Sequence, residues 1–135
     1  MPTVTKFEDL EIWQIARKIE QFTFEQTKTE LLSKDFKLKS QMNDSSSSIM
    51  SNIAEGFGRG SRLEFINFLS FSKGSASELQ SQYYNCLDRK YINEVVFNEI
   101  YQMIETVSKK ISAFMSYLNQ SEMKGQKFQN RKNNP

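Results

Sequence analysis

The chain has 135 residues, 38% of them hydrophobic and 13% aromatic, with 18 bases, 16 acids and no histidine. This size and composition suit one globular domain and exclude a disordered chain, and the lack of histidine removes Ser-His, Cys-His and His-metal chemistry together. The formal charge of +2 is unevenly placed: Lys124, Lys127, Arg131 and Lys132 follow residue 123 with no acid among them, leaving 14 bases against 16 acids before it.

Helical periodicity runs through the whole chain and sustained strand alternation is absent, which predicts an all-α protein. The first helix is expected from about Phe7 to Lys28, with Glu8, Asp9 and Glu11 at its positive end and Leu10, Trp13, Ile19 and Phe22 facing inward. Thr27 to Ser33 reads as a bend. A second helix from Asp35 to Phe57 carries Leu38, Met42, Ile49 and Ile53 on one stripe. Serine is a mediocre helix former, so the run Ser45 to Ser48 would by itself suggest a linker. The apolar period continues across it, however, which favours an unbroken helix whose small serines let a neighbour approach closely.

Gly56, Gly58 and Gly60 follow, each able to take the positive φ that ends a helix, and Ser61 with Glu64 reads as a capping box opening the next. That third helix is expected to reach about Arg89, with Phe65, Phe68, Leu69, Ser72, Ala76, Leu79, Tyr83 and Leu87 in register. Gly74, interior and beside Ser75, Ala76 and Ser77, is expected at a tight helix crossing. Asn93 suits the N-cap of a last helix to about Ser121, with Val96, Ile100, Ile104, Val107, Ile111, Phe114 and Leu118 inward. The reading is therefore an antiparallel up-down four-helix bundle over 1–123 and a basic, disordered tail over 124–135, with Trp13, Phe65, Phe68, Leu79, Ile104 and Ile111 in or beside the core. Apolar residues beyond one stripe per helix (Ile12, Ile15, Phe24, Phe71 and Tyr84) point to subunit contacts and a homo-oligomer.

Little here supports catalysis. Cys86 stands alone, which excludes an internal disulfide and a Cys-held metal, and it reads as a small buried hydrophobe rather than a nucleophile. The carboxylates do not follow a di-iron pattern and no phosphate-binding loop of the Walker type occurs. No enzyme activity, metal or cofactor is expected. No apolar run approaches the roughly 20 residues of a membrane span and the N-terminus lacks a signal pattern, so a cytoplasmic protein is expected.

Two features carry a functional alternative to their structural one. Arg59 and Arg62 flank a helix start whose free N–H groups attract anions, so the elbow is either a plain turn or a phosphate site. The tail is either a solvated terminus or a contact for nucleic acid or an acidic partner. Glu55, at a helix end where the dipole disfavours an acid, is expected to pair with Arg59 or with a base on another helix.

The elbow Ser51-Asn52-Ile53-Ala54-Glu55-Gly56-Phe57-Gly58-Arg59 resembles the SNIAEGxGR segment of the four-helix bundle family encoded in intervening sequences of 23S ribosomal RNA genes. Phe7-x-x-Leu10-x-x-Trp13-x-x-Ala16, Gln41 and Gly74-Ser75-Ala76-Ser77-Glu78-Leu79 extend the resemblance over most of the chain. It implies an up-down bundle assembled as a ring, typically a homopentamer, and it reaches to the accessory proteins of diversity-generating retroelements, which look like basic bundles that bind nucleic acid and a reverse transcriptase. That family often has arginines just before the Ser-Ile of the elbow motif, where this chain has Asn43, Asp44 and serines. Nucleic-acid binding is therefore expected to be weak and salt-sensitive, with a non-binding scaffold or protein-interaction module as the alternative.

Overall fold

The computed structural model describes the backbone of residues 4–133 and the side chains of residues 4–120. A single 3-10 turn, Phe7–Asp9, leads into α1 (Glu11–Thr27); α2 (Glu30–Lys34), α3 (Phe36–Gly58), α4 (Arg62–Asp88) and α5 (Glu94–Asn133) follow, with no strand among the described residues. The first helix is thus shorter than its periodicity predicts, because Leu10 is extended (φ −75°, ψ 125°) and separates turn from helix. The expected bend contains the short helix α2.

The four long helices form an antiparallel bundle, each packing on the next around a ring. Ser75 meets Ser48 and Cys86 meets Met42, so α4 descends as α3 climbs. Phe65 meets Phe114 while Tyr84 meets Phe97, which sets α5 against α4 in the same way. The Lys110 to Glu11 ion pair, 2.8 Å, links α5 to α1, and Thr27 to Asn43 links α1 to α3. Across the centre, Thr23 and Tyr83 share a buried 2.7 Å hydrogen bond between hydroxyls.

Ile19, Met42, Ile49, Ile53, Leu69, Leu79, Ile100, Ile104, Val107 and Ile111 are fully buried, in the register that the periodicity predicts, and Leu32 of the expected bend is buried with them. Trp13, Phe22, Phe57, Leu87, Val96 and Phe114 are half-buried at the core's edge. Ile12 is a correction, since it lies in the core rather than on a surplus face.

The serine run is helical throughout. Ser72 Oγ donates to the Ile49 carbonyl (2.8 Å, buried) and Ser75 Oγ to Ser48 Oγ (2.8 Å), contacts that only small side chains at both positions permit. The caps form as expected: Asn93 Oδ1 accepts from the Val96 N–H at 2.9 Å and Ser61 Oγ from the Glu64 N–H at 3.3 Å.

The glycines need corrections. α3 runs through Gly58, one residue past its expected end, and of the three elbow glycines only Gly60 takes positive φ (74°). Gly74 is exposed, and a Cβ there would meet nothing within 4 Å, so it is not a crossing point. The crossing glycine is Gly56, where a Cβ would stand 2.7 Å from Phe68 Cβ and 3.0 Å from Phe65 Cδ1.

Candidate nucleic-acid interface at the elbow

The α3–α4 elbow is built from both sides. Gly56 lets α3 press against Phe65 and Phe68 of α4, and the Arg59 N–H closes the last turn on the Gly56 carbonyl at 3.3 Å. Gly60 turns the chain through the left-handed region, and Ser61, extended, caps α4. Asn52 supports the elbow from one turn back: its Nδ2 donates to both the carbonyl and the hydroxyl of Ser48, 2.9 Å each, fixing the hydroxyl that Ser75 contacts.

Glu55 pairs with Arg59 at 2.9 Å, four residues apart as expected. The Arg59 guanidinium also lies 5.0 Å from the Phe68 ring centroid, so it sits between an acid and an aromatic ring. Both side chains remain about half exposed, and Arg59 keeps donors for a second acceptor. Arg62, the first residue of α4, is exposed and engaged with a neighbour. Glu64 in the first turn already complements the helix dipole, which favours the plain turn over the phosphate site at this helix start. Gly58 is exposed with open space around it.

Antiparallel packing decides what else reaches this pole. Phe114 of α5 packs tilted against Phe65 with ring centroids 5.5 Å apart, and Tyr117 against Phe114 at 6.0 Å, so the described side chains of α5 end beside the elbow. The basic segment therefore leaves the bundle at the end that carries Arg59 and Arg62. The side chains of Lys124, Lys127, Arg131 and Lys132 lie outside the described residues. The same pole holds Glu8, Asp9 and Glu11, the last tied to Lys110 on the rim of an open apolar groove of about 440 Å³ between Leu10, Ile12, Phe114 and Tyr117. Its charge is mixed rather than uniformly basic.

Among the described residues no group of three or more His, Cys, Asp or Glu is placed to hold a metal ion. Cys86 is buried beside Met42, 3.4 Å between sulfurs, and burial pushes its thiol up to about 12. No helix among the described residues is long and apolar enough to cross a membrane.

One polar cluster at the opposite pole is invisible in the sequence. Asp35 caps α3 by accepting from the Leu38 N–H, and its Oδ2 accepts from Tyr91 (2.9 Å) and Arg89 (2.7 Å), which joins the start of α3 to the α4–α5 loop. The Tyr91 hydrogen bond foremost, with Leu38 and Arg89, holds the Asp35 carboxyl below its ordinary range against the opposing effect of burial. Asp35 lies more than fifty positions from Arg89 and Tyr91, so no local pattern signals the cluster.

A family model for 23S rRNA-intervening sequence proteins matches residues 8–113. Among solved structures, a protein of unknown function from the S23 ribosomal protein family of Bacteroides thetaiotaomicron superposes with a TM-score of 0.61 at 21% identity, covering 77% of this chain and 94% of that one. No curated protein matches the chain.

Proposed function

The chain belongs to the 23S rRNA-intervening sequence protein family, and from that membership and the geometry of the elbow pole we propose that it is a non-catalytic, oligomeric bundle that holds RNA or DNA weakly. One observation supports this reading: Arg59 and Arg62 stand at the end of the bundle towards which α5, the helix that carries the basic segment, runs. A ring of copies, the pentamer that the family resemblance implies, would repeat that end several times and raise a weak contact to a useful avidity. Exposed Phe24, Leu31, Phe36, Leu63 and Phe71 supply apolar area for assembly to bury.

Fluorescence anisotropy with structured RNA and with duplex DNA across a salt series tests the proposal. If Arg59, Arg62 and the four tail bases each neutralise one phosphate, log K falls against log salt with a slope of about −5 on duplex DNA, and deleting residues 124–135 flattens that slope by roughly 3 to 4. Arg59→Ala/Arg62→Ala weakens binding further. In the same preparation, light scattering reads a mass well above the 15.8 kDa of one chain; a monomer at micromolar concentration removes the ring. The acids Glu8, Asp9, Glu11 and Glu64 around the pole favour the second reading, a scaffold that presents its surface to a protein, and absence of any binding at low salt would select it.

A further inference from the structure

Away from the elbow, the half of the bundle nearer the α4–α5 loop carries a second unusual surface. Tyr84 of α4 and Phe97 and Tyr101 of α5 form a closed triangle of rings, with centroids 4.8, 5.9 and 5.4 Å apart. Phe97 is its buried floor, Tyr101 is half-buried, and Tyr84 stands 47% exposed. Aromatic side chains of this size are normally placed to bury area, so a contacting group with an open face marks a contact surface.

The charges around it are predominantly acidic. Asp88 follows Tyr84 by one helical turn, and Glu94 and Glu105 lie one turn to either side of Phe97 and Tyr101, which puts all three acids beside the rings. Gln80 Nε2 holds the Glu105 carboxylate at 2.9 Å, and that carboxylate, behind burial and Tyr84, adds to holding the Tyr101 phenol above its ordinary range. Residues 78–105 contain five acids against Arg89 and Lys90, and the Arg89 guanidinium is bound to Asp35. Among the described residues Asp88, Glu94 and Glu105 form no ion pair with a base. The exposed Tyr84 ring, beside carboxylates that form no ion pair, suits one kind of ligand: a cation whose charge meets the acids while its flat or aliphatic part lies on that ring.

We propose that the Tyr84–Phe97–Tyr101 cluster, with its rim of Asp88, Glu94 and Glu105, is a docking surface for an arginine-bearing basic segment of another protein. Guanidinium is favoured over ammonium because it stacks on aromatic faces while donating in the ring plane to a carboxylate. The surface is independent of the elbow, so a partner and a nucleic acid can be held on the same bundle.

The test titrates the full chain with a labelled Arg-Gly repeat peptide, and with Lys-Gly and Glu-Gly repeats of equal length. The expected order is Arg-Gly tighter than Lys-Gly, with no binding of Glu-Gly. Tyr84→Ala and Glu105→Gln should each weaken the Arg-Gly peptide several-fold, Tyr84→Phe should retain it, and Glu8→Gln/Asp9→Asn at the other pole should leave it unchanged. Thermal melts of each variant separate lost binding from lost fold, and Tyr84→Phe and Glu105→Gln preserve volume. Absence of Arg-Gly binding at low salt, or equal weakening by the Glu8/Asp9 variant, overturns the proposal. So does a change of oligomeric mass in Tyr84→Ala, which would make the cluster a contact between copies of this chain.

Discussion

Replacing Gly56 with alanine adds one methyl group at the tightest point of the α3–α4 contact. The new Cβ would stand 2.7 Å from Phe68 Cβ and 3.4 Å from Phe65 Cα, both fixed to the α4 backbone and unable to swing aside. Carbon atoms prefer roughly 3.5–4.0 Å, so α4 must retreat by about 1 Å or α3 must rotate, and either loosens the Ser72 to Ile49 and Ser75 to Ser48 hydrogen bonds. Overpacking of this kind costs about 1–3 kcal/mol, and alanine returns about 1 kcal/mol through its better helix propensity. Because the clash involves backbone-linked atoms, the upper part of that range applies and the net loss is about 1–2 kcal/mol, a fall in Tm of roughly 3–10 °C for a chain of this length. Gly74→Ala is the internal control: its Cβ meets nothing, so only the propensity gain of about 1 kcal/mol remains and Tm rises. Circular dichroism melts at one fixed protein concentration compare the two, since assembly would make Tm concentration-dependent. A Gly56→Ala protein that melts at or above the parent would refute the close approach at the elbow.

Lys90 is the only non-glycine residue with positive φ (61°) among those described, and it closes α4 with two bonds, Lys90 N–H to Leu87 O and Tyr91 N–H to Cys86 O. Lys90→Gly should stabilise the fold by about 0.5–1 kcal/mol, the left-handed cost of about 1–2 kcal/mol being partly offset by glycine's greater freedom in the unfolded chain, and urea unfolding measures the shift. Cys86, buried and held up to about 12, should resist iodoacetamide at pH 8 in the native protein and react on unfolding, as mass spectrometry will show. Its pKa is raised on folding, so its contribution is fully present below pH 9, the ordinary value, and is lost as pH climbs towards 12; a melting temperature that increases over this window would contradict the burial of the thiol.

What the sequence by itself determined is everything set by neighbours along the chain. Ile49 and Ile53, or Ile100, Ile104, Val107 and Ile111, repeat at the helical period and are buried for that reason, and the same period carries α3 through four serines that propensity alone would leave in a loop. Asn93 and Ser61 cap their helices because a cap bonds an N–H only three residues on, and Glu55 finds Arg59 within one turn. Tertiary structure alone decided which of the small residues touch another helix. Gly56 and Gly74 look alike locally, each a glycine among small residues inside a helical pattern, yet one faces Phe68 and the other faces water. Periodicity says which residues share a face, but which face meets a neighbour depends on how two helices rotate about their own axes, and that is set by the sum of packing over the whole core. The same holds for Asp35 with Arg89 and Tyr91, for the triangle of Tyr84, Phe97 and Tyr101, and for Phe114 of α5 against Phe65 at the elbow. Each joins residues distant in the chain, and each exists only because antiparallel packing returns the chain to the same end of the bundle.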